Sequence, residues 1–172
     1  MKTICVTGHR TYHQLFKRDP SSLLWATKEL CDAIDRAIDA GFTNFISGGA
    51  LGIDTIFVQH VLVRRQIHPS IKLTIARPHM FQHKSWNEYD QYWHMVMLQQ
   101  ADYVFNVNSG DYEPHHNFTR NQWMVDRSDV VLAVIGSDVQ RGGTFNTVRY
   151  ATRKNKKVFY IYPDTHKTIW VT

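Results

Sequence analysis

Short apolar runs rich in β-branched residues recur along the chain at 3–7, 44–47, 71–76, 103–107, 130–135 and 158–162. Each has strand length and lies between glycine, proline or polar clusters, so the pattern predicts six short strands. Between them the apolar spacing becomes helical. After Pro20 and Ser21, the residues Leu23, Leu30, Ile34, Ala37 and Ile38 fall on one stripe of a helix that Gly41 is placed to end. Further helices are predicted from 52 to 65, about 86 to 101, about 117 to 127, and 144 to 154. Strand and helix therefore alternate. Parallel strands need crossovers, and right-handed crossovers lay helices over the sheet. The expected fold is α/β: a Rossmann-like, mostly parallel sheet of about six strands with helices on both faces. No repeat, linker or low-complexity tract divides the 172 residues, so a single domain over 1–172 is expected. Loops at 77–85 and 106–116 would leave the carboxyl ends of strands, where open α/β sheets build their sites.

Composition adds limits. No opening segment has the pattern of a secretory leader, and no apolar run approaches the roughly 20 residues of a membrane span, so a soluble, cytoplasmic protein without a membrane partner is expected. Cys5 lies in an apolar strand-like run and Cys31 on a helix-like face, which predicts buried free thiols rather than a disulfide or metal site. The formal charge of +5 and pI near 9.3 favour anionic partners such as nucleotides, nucleic acid or phosphates.

Glycines mark where such a partner would sit. In "FISGGALGID", Gly48, Gly49 and Gly52 fall where a strand gives way to a helix, allowing a tight turn and a close approach of backbone amides to an anion, with Ser47 beside them and Asp54 in the first helical turn. Gly49 is expected directly beneath a phosphate. Packing alone is the competing reading of these glycines, and dipole complementation that of Asp54. The window 47–52 fits G-x-G-x-x-G at Gly49 and Gly52 but has Ser47 in place of the first glycine, and the next strand ends in Arg77 rather than an acidic residue, so a standard NAD site is disfavoured and no cofactor is expected. A second glycine-opened helix follows strand 130–135, where Arg141, Gly142, Gly143 and Thr144 lead into Asn146 and Thr147. After the first strand, "VTGHR" supplies Gly8, His9 and Arg10.

Taken in order, "VTGHR", "ISGGALGID", "WNEYDQYWHMVMLQQADYV", "RNQWMVDRSDVVLAV" and "GGTFNTVRYA" resemble the YpsA-like branch of the SLOG superfamily, which also holds the LOG phosphoribohydrolases and the DprA DNA-processing proteins. The resemblance implies a Rossmann-like fold that binds nucleotides or nucleotide-derived ligands at its glycine-rich loops, and a tendency to homo-oligomers. LOG hydrolases carry P-G-G-x-G-T-x-x-E with an arginine on the preceding helix. Here Gly142 and Gly143 match, and Arg120 is a candidate for the arginine. Phe145, Asn146 and Arg149 stand where the third glycine, the threonine and the catalytic glutamate belong. A cation at Arg149 cannot act as a carboxylate base, so binding is the expected function. The alternatives are an N-glycosidase, with Asp54, Glu88 or Arg120 as catalytic candidates, and DprA-like binding of single-stranded nucleic acid.

Other clusters have plainer explanations. His79, His83, His115 and His116 lie in polar loops but lack a helical His-x-x-x-His or a cysteine pair, so no metal site is expected. Tyr89, Trp93, Val96 and Met97 read as a core stripe, and Trp86 at the start of that helix could stack on a base. Arg149, Arg153 and Lys157 form a basic stripe if the last helix extends to Lys157, and Asp32, Asp35 and Asp39 mark an outer helix face.

Overall fold

The computed structural model describes residues 1–11 and 13–171. Among these residues the elements run β1 (Lys2–Gly8), α1 (Gln14–Arg18), α2 (Pro20–Asp39), β2 (Phe42–Ser47), α3 (Ile53–Arg65), β3 (Lys72–Arg77), α4 (Glu88–Gln100), β4 (Tyr103–Asn106), α5 (His116–Asp126), β5 (Val130–Val134), α6 (Gly143–Arg153), β6 (Lys157–Tyr162) and β7 (Lys167–Val171). The strands form one sheet in the order β4-β3-β2-β1-β5-β6-β7. All neighbours are parallel except β6 and β7, which are antiparallel. The expected α/β, Rossmann-like fold is the one observed, with a seventh strand added.

Alternation along the central strands divides the core. Ile4 and Val6 of β1, with Leu132 and Val134 of β5, join Leu30, Ile34 and Phe57 beneath α2 and α3. Cys5, Val131 and Ala133 point the other way, onto Met124, Val125, Val148 and Ala151 of α5 and α6. A run such as VVLAV is apolar throughout because both faces of a parallel central strand are covered. Burial pushes the Cys5 thiol up to about 12, which leaves it an inert packing group; Cys31 is a half-buried free thiol.

Several expectations are corrected. Strand β7 is exposed at every position, so it carries no buried-face alternation to read; its Trp170 packs on Phe159 at 4.7 Å. Helix α1 is five residues long, too short for a periodic signal. Helix α6 ends at Arg153, so Lys157 lies on β6 and the basic stripe is confined to Arg149 and Arg153. Asp35 does not simply mark an outer face: it accepts hydrogen bonds from His60 Nε2 at 2.8 Å and Arg64 Nε at 2.6 Å on α3. In α4 the buried residues are His94 and Met97, while Tyr89 and Trp93 are exposed. Among the described residues no helix is long and apolar enough to cross a membrane.

Candidate functional site

The chain builds outward from β1 through β2, β3 and β4, then returns to place β5 on the other side of β1. Connections after β1 and β5 therefore diverge to opposite faces and leave a crevice at the carboxyl ends of these strands, the usual ligand position in such sheets. A cleft of about 370 Å³ lies there. Gly8, His9 and Arg10 line it from the end of β1 and the residues just after it, Ala50 and Leu51 from the loop after β2, Asp54 from the first turn of α3, Arg120 from α5, and Arg141, Gly142, Gly143 and Thr144 from the approach to α6 and its first turn. A larger cleft of about 1300 Å³ adjoins it and shares Arg10, Ala50, Leu51, Asn117 and Arg120 as walls.

The two glycine-rich loops differ in what their polar groups already hold. In the first, the Gly49 amide donates to Ser47 Oγ at 3.1 Å and the Ala50 amide to Asp54 Oδ2 at 3.3 Å. The Gly48 carbonyl accepts from Arg120 Nη1 at 2.5 Å and from Gln82 Nε2 at 3.1 Å. Two amides of this loop are thus engaged within the protein, by the Ser47 hydroxyl and the Asp54 carboxyl group. Gly49 has φ of 62°, and a Cβ there would lie 2.8 Å from Ile75 and 3.4 Å from His94, so its bare side is packed on the protein. Ser47 is fully buried within the turn. Neither Ser47, Gly48 nor Gly49 lines either cleft.

At α6 the arrangement is open. Gly142 has φ of 99°, no side chain caps the helix, and nothing lies within 4 Å of a Cβ placed on Gly142 or Gly143. The first amides of α6 thus face the crevice beside Arg10 and Arg141, a combination suited to an anion. Asn146 lies one turn further on and does not line the cleft. Gly52 borders the larger cleft, where its φ of 96° brings the start of α3 against the backbone of His9, Arg10 and Thr11.

Charge in the crevice is set by burial. Asp54 is raised above the ordinary carboxylate range by desolvation, with the Arg120 guanidinium opposing the shift. Arg120 is itself lowered by burial, with Asp54 pulling the other way; its Nη1 also reaches the Ala76 carbonyl at 3.3 Å. His9 is lowered to about 4, first by burial and then by His13, on which it stacks at 3.9 Å. Its Nε2 accepts the Gly136 amide at 3.3 Å, so the neutral ring bridges the ends of β1 and β5.

Of the catalytic candidates, Asp54 and Arg120 meet in the crevice. Glu88 is exposed in the first turn of α4 and lines neither cleft. The loop histidines separate: His115 and His116 with Glu113 bring one ligand atom each within 4.8 Å of one another, with His79 nearby, whereas His83 packs on His94 at 5.1 Å. The His116 Nδ1 already accepts the Glu113 amide at 3.2 Å. Site residues that sequence reasoning missed are His13, Gln82, His94, Asn117 and Tyr112. Their type gives little signal in loops or within a helix read by hydrophobicity, although positions 90, 94, 97 and 101 do follow a helical stripe.

Residues 4–166 match the family model YpsA, described as the YspA SLOG family. Relatives include the SPbeta prophage-derived protein YoqJ of Bacillus subtilis, 32% identical over 141 residues that cover 74% of this chain and 81% of the relative. Another is the UPF0398 protein YpsA of the same organism, 24% identical over 100% of this chain and 97% of the relative. Among solved structures, DNA processing protein A (DprA) from Streptococcus pneumoniae superposes with a TM-score of 0.62 at 15% identity, covering 93% of this chain and 50% of that one. The Helicobacter pylori DNA processing protein A, whose single-stranded DNA binding mode has been described, superposes with a TM-score of 0.55 at 17% identity, covering 92% and 64%. The chain thus spans between half and two thirds of these DNA processing proteins, and the likeness is one of fold.

Proposed function

The chain belongs to the YpsA SLOG family, and on that premise we propose that it binds a nucleotide-derived small molecule whose phosphate or diphosphate sits where α6 opens. The observation that carries this reading is the contrast between the two loops: in the first, the Gly49 and Ala50 amides are engaged by Ser47 and Asp54, while Gly143 and Thr144 at the uncapped start of α6 line a cleft that Arg10 and Arg141 also line. Gly8 and His9 shape the opposite wall. Arg120 acts from beneath, holding the first loop through the Gly48 carbonyl. The LOG-type carboxylate is replaced by Arg149, which is exposed on α6, so the reading is binding without turnover. Mass spectrometry of small molecules released by heating the purified protein, followed by calorimetry with adenine nucleotides and ADP-ribose, tests it. A released or titrated nucleotide with a defined stoichiometry supports the reading; no binding by any of these compounds refutes it.

A second reading, single-stranded nucleic acid, is favoured by the DNA processing protein fold and by exposed Arg149 and Arg153. It predicts an affinity that falls steeply and log-linearly with salt and that exceeds the affinity for other polyanions. Equal weak binding to heparin and to oligonucleotides refutes it.

A further inference from the structure

Strand β4 ends the sheet, paired only with β3 among the described residues, and all of its positions from Tyr103 to Asn106 are exposed. Its outer side therefore presents a row of backbone N–H and C=O groups to any strand laid beside it. Such edges are ordinarily guarded by a charge, a proline or a bulge. The sequence YVFN has neither charge nor proline, and its register with β3 is unbroken. The preceding carboxylate gives no protection, because Asp102 is turned inward, accepting from Arg65 Nη1 at 2.9 Å, Lys72 Nζ at 3.0 Å and the Leu73 amide at 2.9 Å. The opposite edge differs: β7 carries Lys167, and its Trp170 is held against Phe159.

Apolar side chains flank the β4 edge on both faces of the sheet. Tyr103 and Phe105 share a face with Thr74 and Ala76, and Val104 shares the other with Ile75. Tyr103 is 54% exposed, Phe105 45% and Val104 38%. Phe105 packs on Trp123 of α5 at 5.2 Å, beside an open groove of about 380 Å³ that Ile46 and Thr74 also line. Above Val104 lies α4. Its Trp93 and Met97 line the larger cleft together with Ile56 and Gln59 of α3, and a helix turns about 200° in two residues, so Met95, 43% exposed, points away from α3 and over the sheet edge. An aromatic side chain contributes roughly 150–250 Å², so Met95, Tyr103, Val104 and Phe105 leave on the order of 350 Å² of apolar surface along one edge. At the roughly 57% apolar share of protein interfaces, that corresponds to about 600 Å² per partner, the lower end for a stable complex.

We propose that β4 is a docking edge whose occupant is β4 of a second copy of this chain, paired antiparallel about a two-fold axis to make one continuous sheet. Self-pairing matches the uncharged apolar strand with its equal and closes on itself, whereas β4 against β7 of another copy would leave free edges and grow without limit. The alternation of side chains fixes the register, because only residues on the same face can oppose one another. Centring on Val104 sets it against Val104 of the second copy, Tyr103 against Phe105, and Asp102 against Asn106, which uses the whole strand. The modest area makes this a dimer that forms and dissociates with concentration. The proposal is independent of the anion reading, since Tyr103, Val104 and Phe105 line neither cleft.

Sedimentation velocity across a hundredfold range of protein concentration tests it. The wild-type chain is expected to pass from monomer to dimer as concentration rises, with no larger species. Val104→Lys and Val104→Glu each place like charges against each other at the axis and should raise the dimer dissociation constant at least about tenfold, while an equimolar mixture of the two should dimerise again. Trp170→Lys, on the other edge, should leave the dimer unchanged. Melting curves are recorded alongside; where a charged variant does not fold, Val104→Cys takes its place. Opposed Cα atoms in antiparallel strands lie about 4.5–5.5 Å apart, so this variant should form an interchain disulfide on oxidation that the wild type does not, and its absence overturns the register. A wild-type chain that is monomeric at every concentration overturns the proposal and leaves the edge to a different polypeptide. A dimer that both charged variants preserve also overturns it, as do larger assemblies lost in Trp170→Lys, which would assign pairing between β4 and β7.

Discussion

Arg120 on α5 donates through Nη1 to the carbonyl of Gly48, 72 residues away in sequence, at 2.5 Å. One buried side chain thereby ties α5 to the turn after β2, and it does so because residue 48 has no side chain. A Cβ on Gly48 would overlap the guanidinium and lie 2.8 Å from Asp54 Oδ2. Gly48→Ala is therefore expected to lower stability by roughly 1–3 kcal/mol, while Gly143→Ala, where the added carbon meets nothing within 4 Å, should stay within about 0.5 kcal/mol of wild type. Urea denaturation of the pair checks this; equal losses would contradict the contact.

Asp54 has two readings that one variant separates. As the acceptor within the first loop, its removal in Asp54→Ala leaves the Ala50 amide without an acceptor and the buried Arg120 without its nearby carboxyl group, at an expected loss of about 1–3 kcal/mol. As a catalytic base with its pKa raised by burial, its removal would abolish release of base from a nucleoside monophosphate. The binding account expects no released base from wild type, measured by chromatography after prolonged incubation with AMP. Steady release that disappears in Asp54→Ala would make this an enzyme.

His9 and His94 make stability pH-dependent in a defined direction. Both are lowered from an ordinary 6.5 to about 4, by burial first and then by a neighbouring histidine. Between those values the unfolded chain binds more protons than the folded one, so their contribution is intact above about pH 6.5 and is lost as pH falls towards 4. At pH 5 the loss is on the order of 2 kcal/mol for each ring. Urea midpoints at pH 7.5 and 5.0 measure it. His9→Gln should show a clearly smaller drop than wild type, and an identical drop would mean that His9 is not one of the groups responsible.

Asp35 links α2 to α3 through His60 and Arg64 while remaining partly open to water. Screening limits such a pair, so Asp35→Ala is expected to cost roughly 0.5–1 kcal/mol at low salt and less in 1 M salt. A loss that salt does not reduce would assign the effect to packing.

Much of the architecture was legible because the periodicities are physical constraints. The run at 130–135 is apolar throughout since both faces of β5 are covered, and Pro20 and Gly41 bracket α2 because of what each does to the backbone. The crevice was legible in outline, since glycines after β2 and β5 announce where the chain must turn closely. Which way each loop faces was not. Gly49 and Gly143 look alike in sequence, yet one is backed by Ile75 and His94 and the other meets open space, a difference decided by tertiary packing. Spacing alone places Tyr89 and Trp93 with Met97 in the core, whereas only Met97 of these is buried, and the other buried position of α4 is His94, whose polarity hides it from a hydrophobic pattern.

The central claim is that an anionic ligand sits on the open start of α6, and calorimetry of ADP with wild type and Gly143→Val tests it most directly. A branched side chain there fills the space in front of the helix amides while touching nothing in the folded chain within 4 Å at its Cβ. The account predicts an unchanged melting temperature and an affinity at least about tenfold weaker, a loss of about 1.4 kcal/mol. An affinity for ADP equal to that of wild type, in a variant shown to be folded, would contradict it.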